Sequence, residues 1–123
     1  MLLQIKKSCY NEHMKNLYDY INYLGLKKPV NLRIVTKRNR WADAEYEGDY
    51  SDTTGKLIGH NITIFFKGNS RDFETLVAHE LIHAWQEENK KQETHGKHFI
   101  KYARKMEKQF NLKEIYIEGV DLE

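Results

Sequence analysis

The feature that most constrains the fold is the stretch from residue 75 to 86, which reads Thr-Leu-Val-Ala-His-Glu-Leu-Ile-His-Ala-Trp-Gln. On a helical wheel, apolar side chains cover most of the circumference around this stretch. The remaining polar sector holds Asp72, His79, Glu80, His83, Gln86 and Glu87. A helix that is apolar around most of its surface is buried inside a domain. The stretch therefore predicts a central helix, against which the other elements pack.

The two histidines of this stretch are placed for joint metal binding. His79 and His83 are four residues apart, so a helix projects both rings from one face, one turn apart. Glu80 lies beside them, within reach of a metal-bound water. This geometry underlies the His-Glu-x-x-His signature of zinc hydrolases. The alternative is that both histidines simply belong to the polar stripe of the helix.

A catalytic zinc ion takes three protein ligands and keeps one position open for water. The metzincin spacing does not apply, because glutamine and asparagine are the third and sixth residues after His83. His95 is the best candidate for the third ligand, since Gly96 beside it allows a tight turn and a close backbone approach. His98 and Glu107 are the alternatives.

Hydrophobic periodicity predicts the other elements. Helical spacing predicts helices at 9–24 and 97–110, and a central helix that is capped by Ser70 and ends near 88–91. Alternation and β-branched content predict strands at 30–36, 42–50, 57–66 and 114–120.

The second and third of these strands are expected to pair antiparallel, with 57–66 at the exposed edge that could hold a substrate strand. His60 shares the apolar face of that strand, so it is predicted to be a satisfied core histidine rather than a ligand. Tyr102 and His98 are candidates for stabilising an oxyanion, whereas Trp41 and Trp85 are expected to pack in the core or at its rim.

These elements predict an α+β, zincin-like fold. Its sheet has three to four mainly antiparallel strands, packed against about three helices with the His-Glu-x-x-His helix at the centre. The chain of 123 residues is the size of one domain, so residues 1–123 are expected to form a single unit.

The amino-acid composition limits the kinds of site and the cellular locations that are possible. Cys9 is the only cysteine, which excludes an internal disulfide and a cysteine zinc ribbon. No apolar run has the length of a membrane span, and the first residues lack the apolar core of a signal peptide. We therefore expect a cytoplasmic protein that does not contact membranes.

The net charge is only +2, but basic residues are concentrated at 27–40 and 97–108. Such patches could contact DNA, and the alternative is a solvated, lysine-rich surface. Two further readings remain open: a nucleic-acid-binding module, and a zinc-binding protein without peptidase activity.

Two motifs together resemble a known family. His79, Glu80 and His83 on the central helix are followed by His95-Gly96-Lys97-His98-Phe99 at the start of the next helix. This arrangement resembles the SprT-like metallopeptidase domain, whose family includes the DNA–protein crosslink protease Spartan. The resemblance covers roughly residues 40–108, and the chain looks like a minimal form without the C-terminal zinc ribbon that many members carry.

The resemblance implies a zinc-dependent endopeptidase with His79, His83 and His95 as ligands of Zn²⁺ and Glu80 as the catalytic base. It also implies a protein or peptide substrate, with DNA-associated proteins as one class.

Overall fold

The computed structural model describes residues 3–5, 11–35, 43–65, 73–91 and 93–117. Within these ranges the elements are β1 (Leu3–Ile5), α1 (Asn11–Leu24), β2 (Val30–Val35), β3 (Ala44–Tyr50), β4 (Leu57–Phe65), α2 (Phe73–Glu88) and α3 (Lys97–Phe110). The α+β class is confirmed. The predicted helices and the first three predicted strands are present, with ends that differ by a few residues. Ser70 and Trp41 lie outside the described residues.

The four strands form one sheet in the order β1-β2-β4-β3. β3 and β4 pair antiparallel, as predicted, whereas β1 with β2 and β2 with β4 are parallel. The expectation of a mainly antiparallel sheet thus holds for the β3–β4 pair and not for the other two pairs. The reason is the connectivity: α1 carries the chain back so that β2 runs in the direction of β1, and β4 then lies between β2 and β3.

β4 is therefore an internal strand, which corrects the expectation that residues 57–66 form the exposed edge. Among the described strands, the edges are β1 and β3. β1 has only three residues, too few for a periodic signal, so the sequence did not predict it.

α2 is the central helix, as predicted. Leu81 and Ile82 on α2 are almost completely buried, as are Leu32 of β2 and Ile62 and Ile64 of β4. These residues belong to one core cluster, and their burial is the main stabilising contribution to the fold. Among the described residues, no helix combines the length and apolar composition needed to cross a membrane.

The segment after α3 is not the predicted strand. Residues 114–117 have no strand conformation, and 118–120 lie outside the described residues. The backbone of Ile115 is bonded to side chains instead of a neighbouring strand. Its N–H donates to Glu107 Oε2 at 2.6 Å, and its carbonyl accepts from His79 Nδ1 at 2.8 Å.

The carboxylate of Glu88, at the end of α2, joins three parts of the fold. It accepts the backbone N–H groups of Lys27 and Lys28 at 2.8 to 3.1 Å. It also accepts His60 Nε2–H from β4 at 2.7 Å. The C-terminal end of α2 is thereby attached to the loop before β2 and to the middle of the sheet.

His60 continues this connection to the edge strand. It is fully buried, and its Nδ1 accepts the hydroxyl of Tyr46 on β3 at 2.7 Å. Gly48 is opposite His60 in the sheet, and a Cβ there would lie 3.3 Å from the Tyr46 oxygen, so glycine makes room for the phenol. His60 is therefore a satisfied core histidine, as predicted.

His60 should make stability depend on pH. Burial lowers the pKa of His60, and the Glu88 carboxylate opposes this effect without cancelling it. The unfolded chain therefore takes up a proton near the ordinary histidine pKa of about 6.5, at a pH where folded His60 remains neutral. This part of the stability is present above about pH 6.5 and is lost as the pH falls below it, by at most about 1.4 kcal/mol per pH unit.

The measurement is urea unfolding of the wild type and of His60→Gln at about pH 7.5 and about pH 5.5, on either side of the ordinary histidine pKa. All other titratable groups are common to the two proteins. The difference between them in how the free energy of unfolding changes with pH therefore gives the contribution of His60. Equal slopes would contradict the assignment.

Candidate metal centre

Three histidines converge at the middle of α2. Ring nitrogens of His79, His83 and His95 all lie within 4.8 Å of one another, and the Nε2 atoms of His79 and His95 are 3.2 Å apart. Two nitrogen ligands on a tetrahedral zinc ion, with bonds of about 2.0–2.1 Å, are roughly 3.3 Å apart. This pair thus has the separation of two ligands on one ion, and the cluster could hold a metal ion.

Hydrogen bonds hold two of these rings in the form that binds a metal. His79 Nδ1 is 2.8 Å from the carbonyl of Ile115, and His83 Nδ1 is 2.8 Å from Gln86 Oε1. A carbonyl oxygen only accepts, so each Nδ1 must carry the proton. Each Nε2 is then the nitrogen with a lone pair for the metal.

Gln86 also supports the turn that carries His95. Its Nε2 donates to the Glu93 carbonyl at 2.7 Å, and the same carbonyl accepts the N–H of Gly96 at 3.2 Å. A Cβ at position 96 would collide with the Glu93 side chain, so glycine leaves room for a side chain here, where the sequence predicted a close approach of the backbone. Gln86 thus connects one ligand to the turn that carries another.

Sequence reasoning recognised this glutamine only as a departure from the metzincin spacing. The available signal was its position three residues after His83, on the same face of the helix.

Phe99 on α3 forms the common packing surface of the three rings. Its ring centroid is 4.8, 4.7 and 4.8 Å from those of His79, His83 and His95, and the residue is fully buried. Tyr116 adds a second aromatic contact, 4.9 Å from the His95 ring. Sequence reasoning identified Phe99 as part of a motif and of an apolar stripe, but not as the support of all three ligands.

The two alternative third ligands have other roles. Glu107 Oε2 accepts Arg104 Nη1–H at 2.7 Å as well as the N–H of Ile115. His98 lies beside Glu93, with 3.9 Å between His98 Nδ1 and Glu93 Oε2. Among the described residues, the metal-binding cluster contains His95 and neither of these two.

A cleft of about 1000 Å³ opens beside the histidines, and Glu80 and His83 line it. Glu80 is only 3% exposed. Tyr46 also lines the cleft, and burial together with the charges of Glu87 and Glu88 raises its pKa, so it stays a neutral phenol.

The residues proposed from sequence as oxyanion stabilisers are elsewhere. The rings of Tyr102 and His98 lie 4.5 and 6.4 Å from that of Trp85. Trp85 is partly buried against the core, as expected for a rim residue. None of the three lines the cleft described above.

Fold and site together define an α+β protein whose central helix bears a His-Glu-x-x-His motif and whose three converging histidines can hold a metal ion. The model of the SprT-like family matches residues 27–118, which is most of the chain. The chain belongs to the SprT-like family. Searches of the curated proteins and of the solved structures gave no significant match.

The match extends the resemblance seen in the sequence. It begins before β2 and reaches past Ile115, so it includes the segment whose carbonyl is bonded to His79.

Gln86→Met should lower zinc affinity by about 10- to 100-fold, the usual cost of losing a residue that orients a metal ligand. Methionine has a similar volume but can neither accept from His83 nor donate to Glu93. The measurement is zinc binding in competition with a chromophoric chelator. The control is Asn89→Ala, because this exposed side chain donates to the Trp85 carbonyl and bonds no histidine within the described residues. Equal affinities in the two variants would contradict the role of Gln86.

Phe99→Ala should reduce the free energy of unfolding by about 3–5 kcal/mol and weaken zinc binding. Phe110→Ala is the matched control, since it removes the same side chain from the same helix, where it packs on Tyr20 and Tyr23. It should destabilise the protein without changing zinc affinity. Urea unfolding and chelator competition measure the two quantities. If both variants weaken zinc binding equally, Phe99 is not a specific support of the ligands.

Proposed function

We propose that this protein is a zinc-dependent metalloendopeptidase. The observation that carries the proposal is the position of Glu80: a buried carboxylate next to His79 on α2 that lines the same cleft as His83. Membership of the SprT-like family supports the same reaction class. The three histidines and Glu80 are then the zinc ligands and the general base.

A bound zinc ion would supply the Lewis acidity that activates water and polarises the scissile carbonyl. The residues of this chain do the rest. Glu80 accepts a proton from the attacking water and delivers it to the leaving amine when the C–N bond breaks. The hydrogen bonds from His79 to Ile115 and from His83 to Gln86 keep the ligand rings in place during the reaction.

The substrate is proposed to bind in extended form along β3. Within the described part of the sheet, β3 is hydrogen-bonded to a neighbour on one side only. Such an edge can accept an extended peptide as an additional strand. Tyr46 and Tyr50 of β3 line the cleft that contains Glu80, so this edge strand and the proposed base border the same space.

DNA-associated proteins are proposed as one substrate class, with DNA contacted by basic residues. Support comes from α3, where Lys97, Lys101, Lys105 and Lys108 are exposed. Contacts with phosphates make binding strongly salt-dependent. DNA affinity that does not fall with added salt would argue against this contact.

Glu80→Gln should retain about one zinc ion per chain and lose peptidase activity by about 10²- to 10⁴-fold, the typical contribution of a general base. Glutamine keeps the shape of the side chain but cannot accept the proton. Elemental analysis gives the zinc content, and cleavage of an unstructured protein gives the rate. Cleavage at the wild-type rate with zinc present would exclude the mechanism, and a wild-type protein that takes up no zinc would exclude the metal centre.

His95→Ala should weaken zinc binding, because only two ligand rings remain. His98→Ala is the control, since that ring lies outside the cluster. Chelator competition compares the two variants. Unchanged affinity for His95→Ala would assign the third ligand to another residue.

A further inference from the structure

The cleft extends beyond the metal centre to an end that is rich in lysine. One wall there is the turn between β3 and β4, with Lys56, and the other is the end of α2, with Lys90 and Lys91. All three lysines are exposed. Within the described part of the chain, none of them forms an ion pair. Glu87 is the acidic residue on this part of the cleft wall, so the end carries a net positive charge.

The backbone at Lys90 is unusual. Its φ is 55°, in the left-handed region where helices most often place glycine just past their end. A residue with a side chain costs about 1–2 kcal/mol in this conformation. Here the turn closes with a bond of 2.9 Å from the N–H of Lys91 to the carbonyl of Gln86, and both lysines line the cleft.

The distance from the metal centre can be expressed in substrate residues. α2 ends at Glu88, five positions after His83, which is roughly 7.5 Å along the helix axis. Lys90 follows two residues later, so it lies on the order of 10 Å from the metal centre. An extended peptide advances about 3.3 Å per residue. A peptide bound along β3 with its scissile bond at the metal centre would therefore place a side chain near the lysines about three residues away.

We propose that this cleft selects acidic segments, in which Asp or Glu lies about three residues from the bond that is cut and pairs with Lys56, Lys90 and Lys91. The inference rests on the proposed peptidase function. The three lysines lie at one end of the cleft, and the acidic residues in its lining are Glu80 and Glu87. A peptide can match this uneven pattern. A nucleic acid strand carries a negative charge at every phosphate and would bring charge against the two glutamates.

The first experiment compares three otherwise identical peptides with Asp, Asn or Lys placed three residues from the scissile bond, on either side of it in separate sets. On one side, kcat/KM of the wild type should be highest for Asp and roughly five-fold lower for Lys, as expected for exposed charge pairs. The preference should weaken as salt is added. Equal kcat/KM for all three peptides on both sides would overturn the inference and leave the peptidase function intact.

Two variants locate the preference. K90E/K91E should reverse it in favour of the Lys peptide. Q109E is the control, because this exposed residue lies on α3 and does not line the cleft, and it should behave as wild type. If Q109E changes the preference as much as K90E/K91E does, general surface charge is responsible and the inference is wrong.

Binding separates this inference from the proposed function. Anisotropy measurements with zinc-loaded E80Q give the affinities of the same labelled peptides without requiring cleavage. Tighter binding of the Asp peptide that K90E/K91E abolishes supports the acidic site, even if no peptide is ever hydrolysed. Equal binding of all three peptides overturns it. Single-stranded DNA is tested in the same assay, and DNA binding that needs Lys90 and Lys91 while peptide binding does not would assign these lysines to nucleic acid instead.

Discussion

The arrangement of α2 on the sheet depends on the hydrogen bonds of the Glu88 carboxylate. Its side chain is 10% exposed, and its oxygens accept two backbone N–H groups and the ring of His60. A nearly buried carboxylate is tolerable only when such donors replace water. These bonds set the position of α2 against β4. The hydrogen bond between Tyr46 and His60 then connects the edge strand β3 to the same group of contacts. The width of the cleft between α2 and β3 is therefore determined by contacts outside the metal centre.

The metal centre itself is assembled from both sides of α2. α2 contributes the rings of His79 and His83, and the groups that orient them lie on α2 itself and in the segment after α3. Ile115 orients His79, and Gln86 orients His83. Ile115 is in turn held by Glu107, whose carboxylate is paired with Arg104. The segment 111–117 that follows α3 is thus part of the site, although its described residues do not belong to the histidine cluster.

Structural features that depend on the spacing of nearby residues were predicted correctly from the sequence. The bounds of α3, the central position of α2 and the pairing of β3 with β4 all follow from periodicity over a few residues. Gly25 has the left-handed φ of 67° expected at a helix end. The convergence of His79, His83 and His95 agrees with a short motif in which spacing encodes geometry.

What the sequence did not predict depends on partners that are distant along the chain. The placement of β4 between β2 and β3 depends on how whole elements pack together. The periodicity of a single strand indicates which of its faces is buried, but not which strands lie beside it. Residues 114–117 have the alternation of a strand, yet Glu107 and His79 bond the backbone of Ile115. When side chains from elsewhere in the chain bond the backbone of a segment, they compete with strand pairing. The sequence of the segment itself carries no pattern that reveals this competition. The role of Gln86 was missed for a related reason, because it joins a helix to a turn that follows it.

The bond from Gln86 to the Glu93 carbonyl has a consequence for how a metal ion would bind to this site. In zinc fingers the ion organises an otherwise unfolded chain, so its removal unfolds the protein. Here the turn bearing His95 is fastened to α2 by an amide, and the ligand rings rest on Phe99. Little chain entropy remains to be lost when the ion arrives. A metal ion could therefore bind and leave as a reversible equilibrium of a folded protein.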